Sequence, residues 1–207
     1  MTLSKRLFDL ALLALIFPVL GPVLAVLILY MLIRGGRPFF YVSERMKTPE
    51  QPFMLIKLRS MTPDNADSGV TGADKAGRIT RLGRILRKTR LDELPQMWNI
   101  LKGDISFVGP RPPLRRYVER FPEIYDQVLI SRPGVTGMAS LFYHAHEEHL
   151  LARCKTPQET DATYARACVP RKARLDLVYQ ARASLCLDIW IIAKTTQKIL
   201  RLRRRKT

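Results

Sequence analysis

No charged residue occurs between Leu10 and Ile33, and no other stretch of the chain is so continuously apolar. Lys5 and Arg6 precede it, and Arg34 and Arg37 follow it. A helix of about 20 apolar residues is enough to cross a bilayer core, so the pattern predicts a membrane helix. A secretory leader would carry a shorter apolar region and a small-residue cleavage site. A buried core helix of this length exceeds what a chain of 207 residues normally encloses. Pro18, Gly21 and Pro22 interrupt its middle. Each proline removes an N–H and clashes with the carbonyl four residues earlier, which predicts a sharp bend. Both flanks are basic, so neither is marked as translocated. A bent, re-entrant helix that enters and leaves by the same face satisfies both observations.

Beyond Arg37 the pattern becomes that of a small globular domain. Phe39 to Val42 and Phe53 to Leu58 read as short strands. Lys57 and Arg59 alternate and therefore share one face, which suits a phosphate site or, equally, a solvated strand face. Thr62 to Ala76, rich in Asp, Gly, Ser and Asn, predicts a loop. Arg78 to Arg90 predicts a basic amphipathic helix, with Ile79, Leu82, Ile85 and Leu86 as its apolar stripe. Such a helix suits the plane of an anionic membrane surface.

Proline is tolerated in a helix only within its first turn, so Pro95 predicts a helix beginning near Asp92. Leu94, Met97, Trp98 and Leu101 recur at one-face spacing, which predicts that they are buried. Lys102-Gly103 closes the helix. Asp104 to Val108 reads as extended, and Gly109-Pro110-Arg111-Pro112 as a stiff turn presenting one guanidinium. Leu114 to Leu129 predicts a helix interrupted at Pro122. Leu185 to Leu200, with Trp190, predicts an interfacial helix, and Arg201 to Lys206 a basic tail on anionic lipid.

Composition adds one strong constraint. The formal charge of +17 implies an anionic partner: nucleic acid, an acidic membrane surface, or phosphate-bearing substrates. Nucleic acid is not the expected one, because neither base-stacking aromatics nor a groove-reading module accompanies the basic helix. Cys154, Cys168 and Cys186 are odd in number and lack metal-ligand pairing, so they read as reduced thiols.

The candidate chemistry is Asp92-Glu93. A carboxylate at a helix N-terminus is held ionised by the dipole and free N–H groups, and the same helix end attracts phosphate. On spacing alone, the commoner role for Asp92 is to cap the helix, or to answer Thr89 in a capping box. The second acid and the Arg held between prolines point instead to a nucleophile aimed at phosphorus. Arg87, little more than one helical turn earlier, is near enough to face a substrate phosphate.

Leu91-Asp92-Glu93-Leu94-Pro95-Gln96-Met97-Trp98-Asn99-Ile100-Leu101-Lys102-Gly103-Asp104-Ile105-Ser106-Phe107-Val108-Gly109-Pro110-Arg111-Pro112 resembles the signature of the bacterial sugar transferases. These are the monotopic polyprenol-phosphate phosphoglycosyl transferases. The resemblance runs from Lys5 to about Thr195. It implies that Asp92 attacks the β-phosphate of a UDP-sugar, forming a covalent aspartyl-phosphosugar and releasing UMP. It further implies that Glu93 is a magnesium (Mg2+) ligand and that Arg111 contacts phosphate or uridine diphosphate. The sugar-phosphate would then pass to undecaprenyl phosphate, the first membrane step of glycoconjugate biosynthesis. Family members carry a re-entrant helix broken at a Ser-Pro pair, where this chain has Gly21-Pro22. Ser43-Glu44-Arg45 stands where the family usually has Gln-x-Arg, and Met138-Ala139-Ser140 where many members have Trp-Ala-Gln. Lys57-Leu58-Arg59 resembles a basic strand-end motif. Leu175-Asp176-Leu177-Val178-Tyr179 resembles a later block in which Asp176 would orient metal or phosphate, a plain surface acid being the other reading.

His144, His146 and His149, with Glu147 and Glu148, suggest zinc, but they do not reproduce His-Glu-x-x-His spacing. A polar loop beside the sugar pocket is the preferred reading. The expected fold is mainly α with a small β element (α+β), monotopic, with interfacial amphipathic helices. Residues 1–37 form the re-entrant membrane hairpin, 38–200 the catalytic domain and 201–207 a basic tail. The expected site is Asp92 and Glu93, with Arg111, Arg87, Lys57, Arg59 and Asp176 binding substrate. The enzyme would sit at the bacterial inner (cytoplasmic) membrane, facing the cytoplasm, with UDP-sugar, undecaprenyl phosphate and membrane lipid as partners; a homo-oligomer is compatible with this reading. The rival is a non-enzymatic, membrane-anchored basic adaptor for nucleic acid or acidic lipid. It accounts for charge and anchor but gives no reason for Asp92-Glu93 beside Arg111.

Overall fold

The computed structural model describes residues 1–34, 38–63 and 77–204, with side chains to residue 200. The N-terminal apolar segment forms one helix, α1 (Leu3–Arg34). Among the described residues it is the one helix long and apolar enough to cross a membrane. Its helical assignment continues through Pro18 and Pro22. Each proline frees only one carbonyl, that of Ala14 or of Pro18, and a long helix survives those two gaps. Gly21 accommodates the Phe17 ring, which would lie 3.3 Å from a Cβ at that position. Arg37 and the expected loop at Thr62 to Ala76 (save its first residues, Thr62 and Pro63) lie outside the described residues.

One face of α1 is sewn to the rest of the chain along much of its length. Near its start, Lys5 Nζ donates to Asp188 Oδ2 at 2.6 Å and to the Tyr179 hydroxyl at 3.1 Å. Arg6 donates to the carbonyls of Ile100 and Leu101 at 2.5 and 2.7 Å, adding to the Gly103 N–H that Ile100 already accepts at the end of the helix. Asp9 is fully buried and accepts from Ser106 Oγ and from the Phe107 N–H. Further along, Leu13 and Leu20 pack on Phe53, Leu94 and Ile100, and Leu27, Ile28 and Met31 on Leu58, Leu86 and Phe40. The other face, including Leu15, Phe17, Val26 and Ile33, is exposed.

Both predicted strands form. β1 (Phe40–Met46) and β2 (Pro52–Leu58) pair antiparallel, with Tyr41 opposite Lys57. α2 (Arg81–Thr89) starts later than the pattern suggested, because Thr80 caps it by accepting from the Gly83 N–H at 2.9 Å. Ile79 is left outside, in a bridge with Met61. α2 ends at Arg90, whose φ of 59° is left-handed, an uncommon conformation for a residue with a side chain. That reversal throws the chain into a single 3-10 turn, Leu91–Glu93, followed by α3 (Gln96–Lys102) behind Pro95.

The buried face of α3 is not the predicted one. Leu94 and Met97 are inside, but Trp98 and Leu101 are 57% and 49% exposed, while Gln96, Asn99 and Ile100 turn inward. Asn99 explains the rotation. Its Oδ1 accepts from the Ile56 N–H at 3.2 Å, and its Nδ2 donates to Met54 O at 2.8 Å and to Asp104 Oδ2 at 3.1 Å. A buried amide that binds strand β2 outweighs two apolar contacts, and Trp98 and Leu101 are left on the outside with α1's apolar face.

The extended segment after α3 is β3 (Ser106–Val108), and it pairs in parallel with β4 (Gly134–Thr136). At Gly109 a Cβ would collide with the Arg132 carbonyl, so only glycine lets this pair close beneath the Arg111 turn. Between the strands lie α4 (Arg115–Arg120) and α5 (Pro122–Val128), divided at Pro122 as expected. α6 (Met138–Leu151), α7 (Pro157–Thr163), a wide turn at Tyr164–Cys168 and α8 (Val169–Ala181) complete the helical half. Its core is Tyr117, Tyr125, Leu129, Leu151, Val169 and Ala173. α9 (Leu185–Arg204) contains the predicted interfacial helix and carries the start of the expected tail as helix. Cys154 and Cys168 are buried and Cys186 exposed, all three as free thiols.

Asn99 holds β2, and with it Lys57, against α3. Replacing it with leucine, Asn99→Leu, leaves the Ile56 N–H and Met54 carbonyl without partners, at a cost of about 1–3 kcal/mol. The expected outcome is a clearly lowered melting temperature of the detergent-solubilised protein. An unchanged value would show that these backbone groups find water instead.

Candidate active site

Asp92 and Glu93 sit in the 3-10 turn between α2 and α3, each only 8% exposed. Neither caps a helix: Arg90 and Pro95, the residues at the cap positions, make no side-chain cap bond. Thr89 instead donates back to the Ile85 and Leu86 carbonyls. The capping explanation for the acidic pair therefore fails.

Glu93 is gripped by three cations from three parts of the chain. Lys57 Nζ at the end of β2 is 2.9 Å from Oε1, Arg111 in the glycine-proline turn 3.3 Å, and Arg90 3.6 Å. All three meet the same oxygen, Oε1. Burial alone would raise the Glu93 pKa, but Lys57, Arg111 and Arg90 outweigh it and hold the carboxyl well below its usual range. Lys57 pays the reciprocal cost: burial lowers it to about 8 despite Glu93. Arg111 remains 39% exposed at the mouth of the site, so water screens its contact with Glu93.

Asp92 behaves differently from its neighbour. Its Oδ1 is buried without a hydrogen-bond partner among the described residues. Burial, then the adjacent Glu93, push its pKa up, against the pull of Lys57, Arg90 and Arg87. The sequence pointed to a carboxylate held ionised by a helix end. The structure replaces that dipole with a short 3-10 turn and surrounds the acid with protein, so desolvation dominates.

The pair lies in a cavity of about 1430 Å³, larger than the roughly 300–1,000 Å³ of ordinary small-ligand pockets. Lys57, Arg59, Arg87, Arg111 and Asp176 all line it. Arg87 Nε donates to Ser60 Oγ at 2.9 Å. Arg59 donates to Phe40 O at 3.1 Å, and its buried Nε has no hydrogen-bond partner among the described residues. Asp176 stands apart from the Glu93 cations. On α8, it lies beside the Ala139 backbone at the start of α6 and faces Lys172. Burial pushes its pKa up to about 7.

Several groups here were not among the expected site residues. Arg90 is one basic residue among many in its neighbourhood, and only its left-handed backbone turns it onto Glu93. Arg45 is tucked beside Pro112, donating to its carbonyl at 3.5 Å, and burial together with nearby Arg111 lowers its pKa. Buried Lys172 bonds half-buried Glu147 and Tyr164 on the same cavity wall.

The histidines lie on α6 and not on a polar loop. At 144, 146 and 149 they point different ways around the helix. Each meets its own arginine: His144 with Arg90 at 2.7 Å, His146 with Arg171 at 3.2 Å and His149 with Arg153 at 2.9 Å. Among the described residues no group of three or more His, Cys, Asp or Glu side chains is placed to hold a metal ion. Two carboxylates facing three cations make the Glu93 centre net positive, so it attracts an anion before a divalent cation. Glu93 and Asp92 offer only two carboxylates, so a magnesium ion there would need water and substrate oxygens for its other ligands.

Comparison with known proteins decides the family. The model of the bacterial sugar transferases matches residues 1–202. The chain belongs to the bacterial sugar transferase family. Among this family's members, it is 32% identical over 200 residues to a UDP-N-acetylgalactosamine-undecaprenyl-phosphate N-acetylgalactosaminephosphotransferase of Aeromonas hydrophila, covering 95% of this chain and 43% of the relative. It is 32% identical over 196 residues to the uncharacterized sugar transferase EpsL of Bacillus subtilis, covering 95% of this chain and 87% of that protein. A UDP-glucose:undecaprenyl-phosphate glucose-1-phosphate transferase of Caulobacter vibrioides is 37% identical over 144 residues, 67% of this chain and 54% of the relative. The chain thus spans about half or less of two of these three transferases.

Asp176 gives a pH signature of its own. Its carboxyl titrates near 7 in the fold against an ordinary 3.8, so between those values the native state binds the extra proton. Stability therefore falls as pH rises through that window. Asp176→Asn removes the ionisation, so its melting temperature should gain on that of the unaltered protein as pH rises from about 5 to about 8. A constant gap between the two melting curves would show that Asp176 is already ionised at the acidic end.

Proposed function

We propose that this protein moves a sugar-1-phosphate from a UDP-sugar to undecaprenyl phosphate in two displacements. In the first, an oxygen of Asp92 attacks the β-phosphorus; the new O–P bond forms as the bond to UMP breaks. In the second, a phosphate oxygen of undecaprenyl phosphate attacks the same phosphorus and releases Asp92. The carrying observation is the contrast within the acidic pair. Glu93 is tied to three cations, whereas Asp92 is buried beside them with an unbonded oxygen. Desolvation makes a carboxylate a better nucleophile, and the cations can receive the diphosphate. The relatives' names supply the substrate classes, UDP-sugars and undecaprenyl phosphate.

Lys57 and Arg111 bind the diphosphate, with Arg87 and Arg59 along the same wall. Magnesium bound to Glu93 and the substrate would neutralise diphosphate charge before the anionic Asp92 approaches. The cavity is large enough for two substrates, and Ile16, Leu20, Leu141, Ile192 and Ile199 line its apolar side, which suits a prenyl chain. The adaptor alternative leaves the unbonded Asp92 unexplained.

The same reading places the enzyme at the inner membrane, catalytic side toward the cytoplasm, with 1–37 as anchor, 38–200 as catalytic domain and 201–207 as tail. Support for a re-entrant anchor comes from packing. α1 touches the domain near Lys5 and Asp9 and again near Ile28 and Met31. A helix that crossed the bilayer would carry one of those ends away from a cytoplasmic domain.

Incubated with UDP-sugar alone, the protein should gain the mass of one sugar-phosphate at Asp92, and with undecaprenyl phosphate it should turn over and release UMP. Asp92→Asn should abolish both, a loss beyond the roughly 10²–10⁴ of a missing acid–base group, and EDTA should stop turnover until magnesium is restored. An Asn variant with a tenth of normal activity would remove Asp92 as nucleophile, and full activity in EDTA would remove the metal. For topology, a cysteine in place of Thr2 should be protected from an impermeant thiol reagent in intact cells. Labelling from outside would establish a spanning helix.

A further inference from the structure

The wall of the cavity built by α6 and α8 carries a polar set that the transfer chemistry above does not use. Lys172 and Asp176 lie one turn apart on α8, with only 8% and 6% of their surface exposed. Lys172 Nζ is 3.0 Å from Glu147 Oε2 on α6 and donates to the Tyr164 hydroxyl at 3.1 Å. Glu147, Tyr164, Lys172 and Asp176 line the same cavity as Asp92 and Glu93. Arg111 joins the two ends electrically, since its guanidinium is pulled by Glu93 on one side and by Glu147 and Tyr164 on the other.

We infer that this α6–α8 wall is the subsite that reads the sugar of the nucleotide-sugar substrate, through the Tyr164 hydroxyl and the Asp176 carboxyl. The inference rests on the transfer reaction proposed above and adds to it where the sugar is recognised. Two observations carry it. Tyr164 accepts from Lys172, so its own O–H remains available to donate. Asp176 lies beside the Ala139 backbone at the start of α6, and its Oδ1 is buried with no hydrogen-bond partner among the described residues. A Lys172–Glu147 pair whose purpose was only to tie α6 to α8 would need neither group. A buried polar atom left unsatisfied calls for an explanation, and a substrate partner is one.

The chemistry of the wall selects among the parts of the substrates. Phosphate oxygens only accept, and two carboxylates in the set oppose them. A prenyl chain offers nothing to either group. Sugar hydroxyls both donate and accept, which matches a phenol O–H near a carboxyl oxygen. Tyr125, Val169 and Ala173 line the same wall and supply apolar surface beside the polar pair. An acid poised near neutrality can serve a hydroxyl in either role. Uracil, with an N–H flanked by two carbonyls, is the competing occupant, and binding measurements separate the two.

The experiment uses full-length protein carrying Asp92→Asn, so that nothing is consumed. Calorimetry would measure Kd for UDP, UDP-glucose, UDP-galactose and UDP-N-acetylgalactosamine, with and without Tyr164→Phe or Asp176→Asn. Both substitutions keep side-chain shape and leave the Lys172–Glu147 pair in place. The expected result is a loss of about five- to tenfold for the best-bound UDP-sugar, unequal among the three sugars, with UDP binding changed by less than about twofold. An equal loss for UDP would assign the wall to the nucleotide. Unchanged affinities throughout would reduce the cluster to an interhelical tie. Either result overturns the inference. Failure of the unaltered protein to release UMP from any of these sugars, alongside sugar-dependent binding, would reject the transfer reaction while the subsite stands.

Discussion

Three cations from three separate segments meet one oxygen of Glu93, and the rest of the site is arranged by that convergence. β2 must end beside α3 for Lys57 to arrive, the β3–β4 pair must close for Arg111, and the chain must turn left-handed at Arg90. Each condition is enforced elsewhere by backbone-directed bonds: Asn99 onto β2, Gly109 under the parallel pair, Thr80 at the start of α2. Removing any one cation leaves a buried carboxylate short of charge, which is costly. The centre is stable because the fold has no cheaper way to bury Glu93.

The same convergence makes two adjacent carboxyls unlike each other. Glu93 absorbs the positive charge and stays ionised, while Asp92 keeps a raised pKa and an unbonded oxygen. Environments that push two neighbouring acids apart divide their roles. In an empty site the surplus of positive charge favours an anion over a divalent cation.

The apolar helix α1 is part of this construction and more than an appendage. Lys5, Arg6 and Asp9 bind α9, α3 and β3 respectively, and Leu13 and Leu20 complete the core under Asp92's helix. An anchor fixed this way holds the acids at a set depth relative to its exposed apolar face. Trp98 and Leu101 lie exposed on α3, where the apolar pattern predicted burial. Aromatic and aliphatic side chains suit a headgroup boundary, so the apparent failure of the pattern is itself consistent with a domain that rests on lipid.

Much of this was legible in the chain. The uncharged run from Leu10 to Ile33 specified a membrane-grade helix by length alone, the hairpin strands followed from their residue types, and Pro95, Gly103 and Pro122 marked helix boundaries close to where they fall. The acidic pair and Arg111 were legible because they lie within one short, stiff stretch whose local geometry is largely decided by prolines and glycines. What the sequence could not decide was which way each element turns. α3 rotates to bury an amide, α1 runs through its prolines, the histidines scatter around a helix, and Asp176 leaves the phosphate cations for Lys172 and the start of α6. These outcomes depend on partners far apart in the chain, Asn99 with Met54 and Ile56, Arg90 with His144, and Lys172 with Glu147. Local periodicity reports only what a segment prefers by itself; which buried polar group finds a partner is settled when the segments meet.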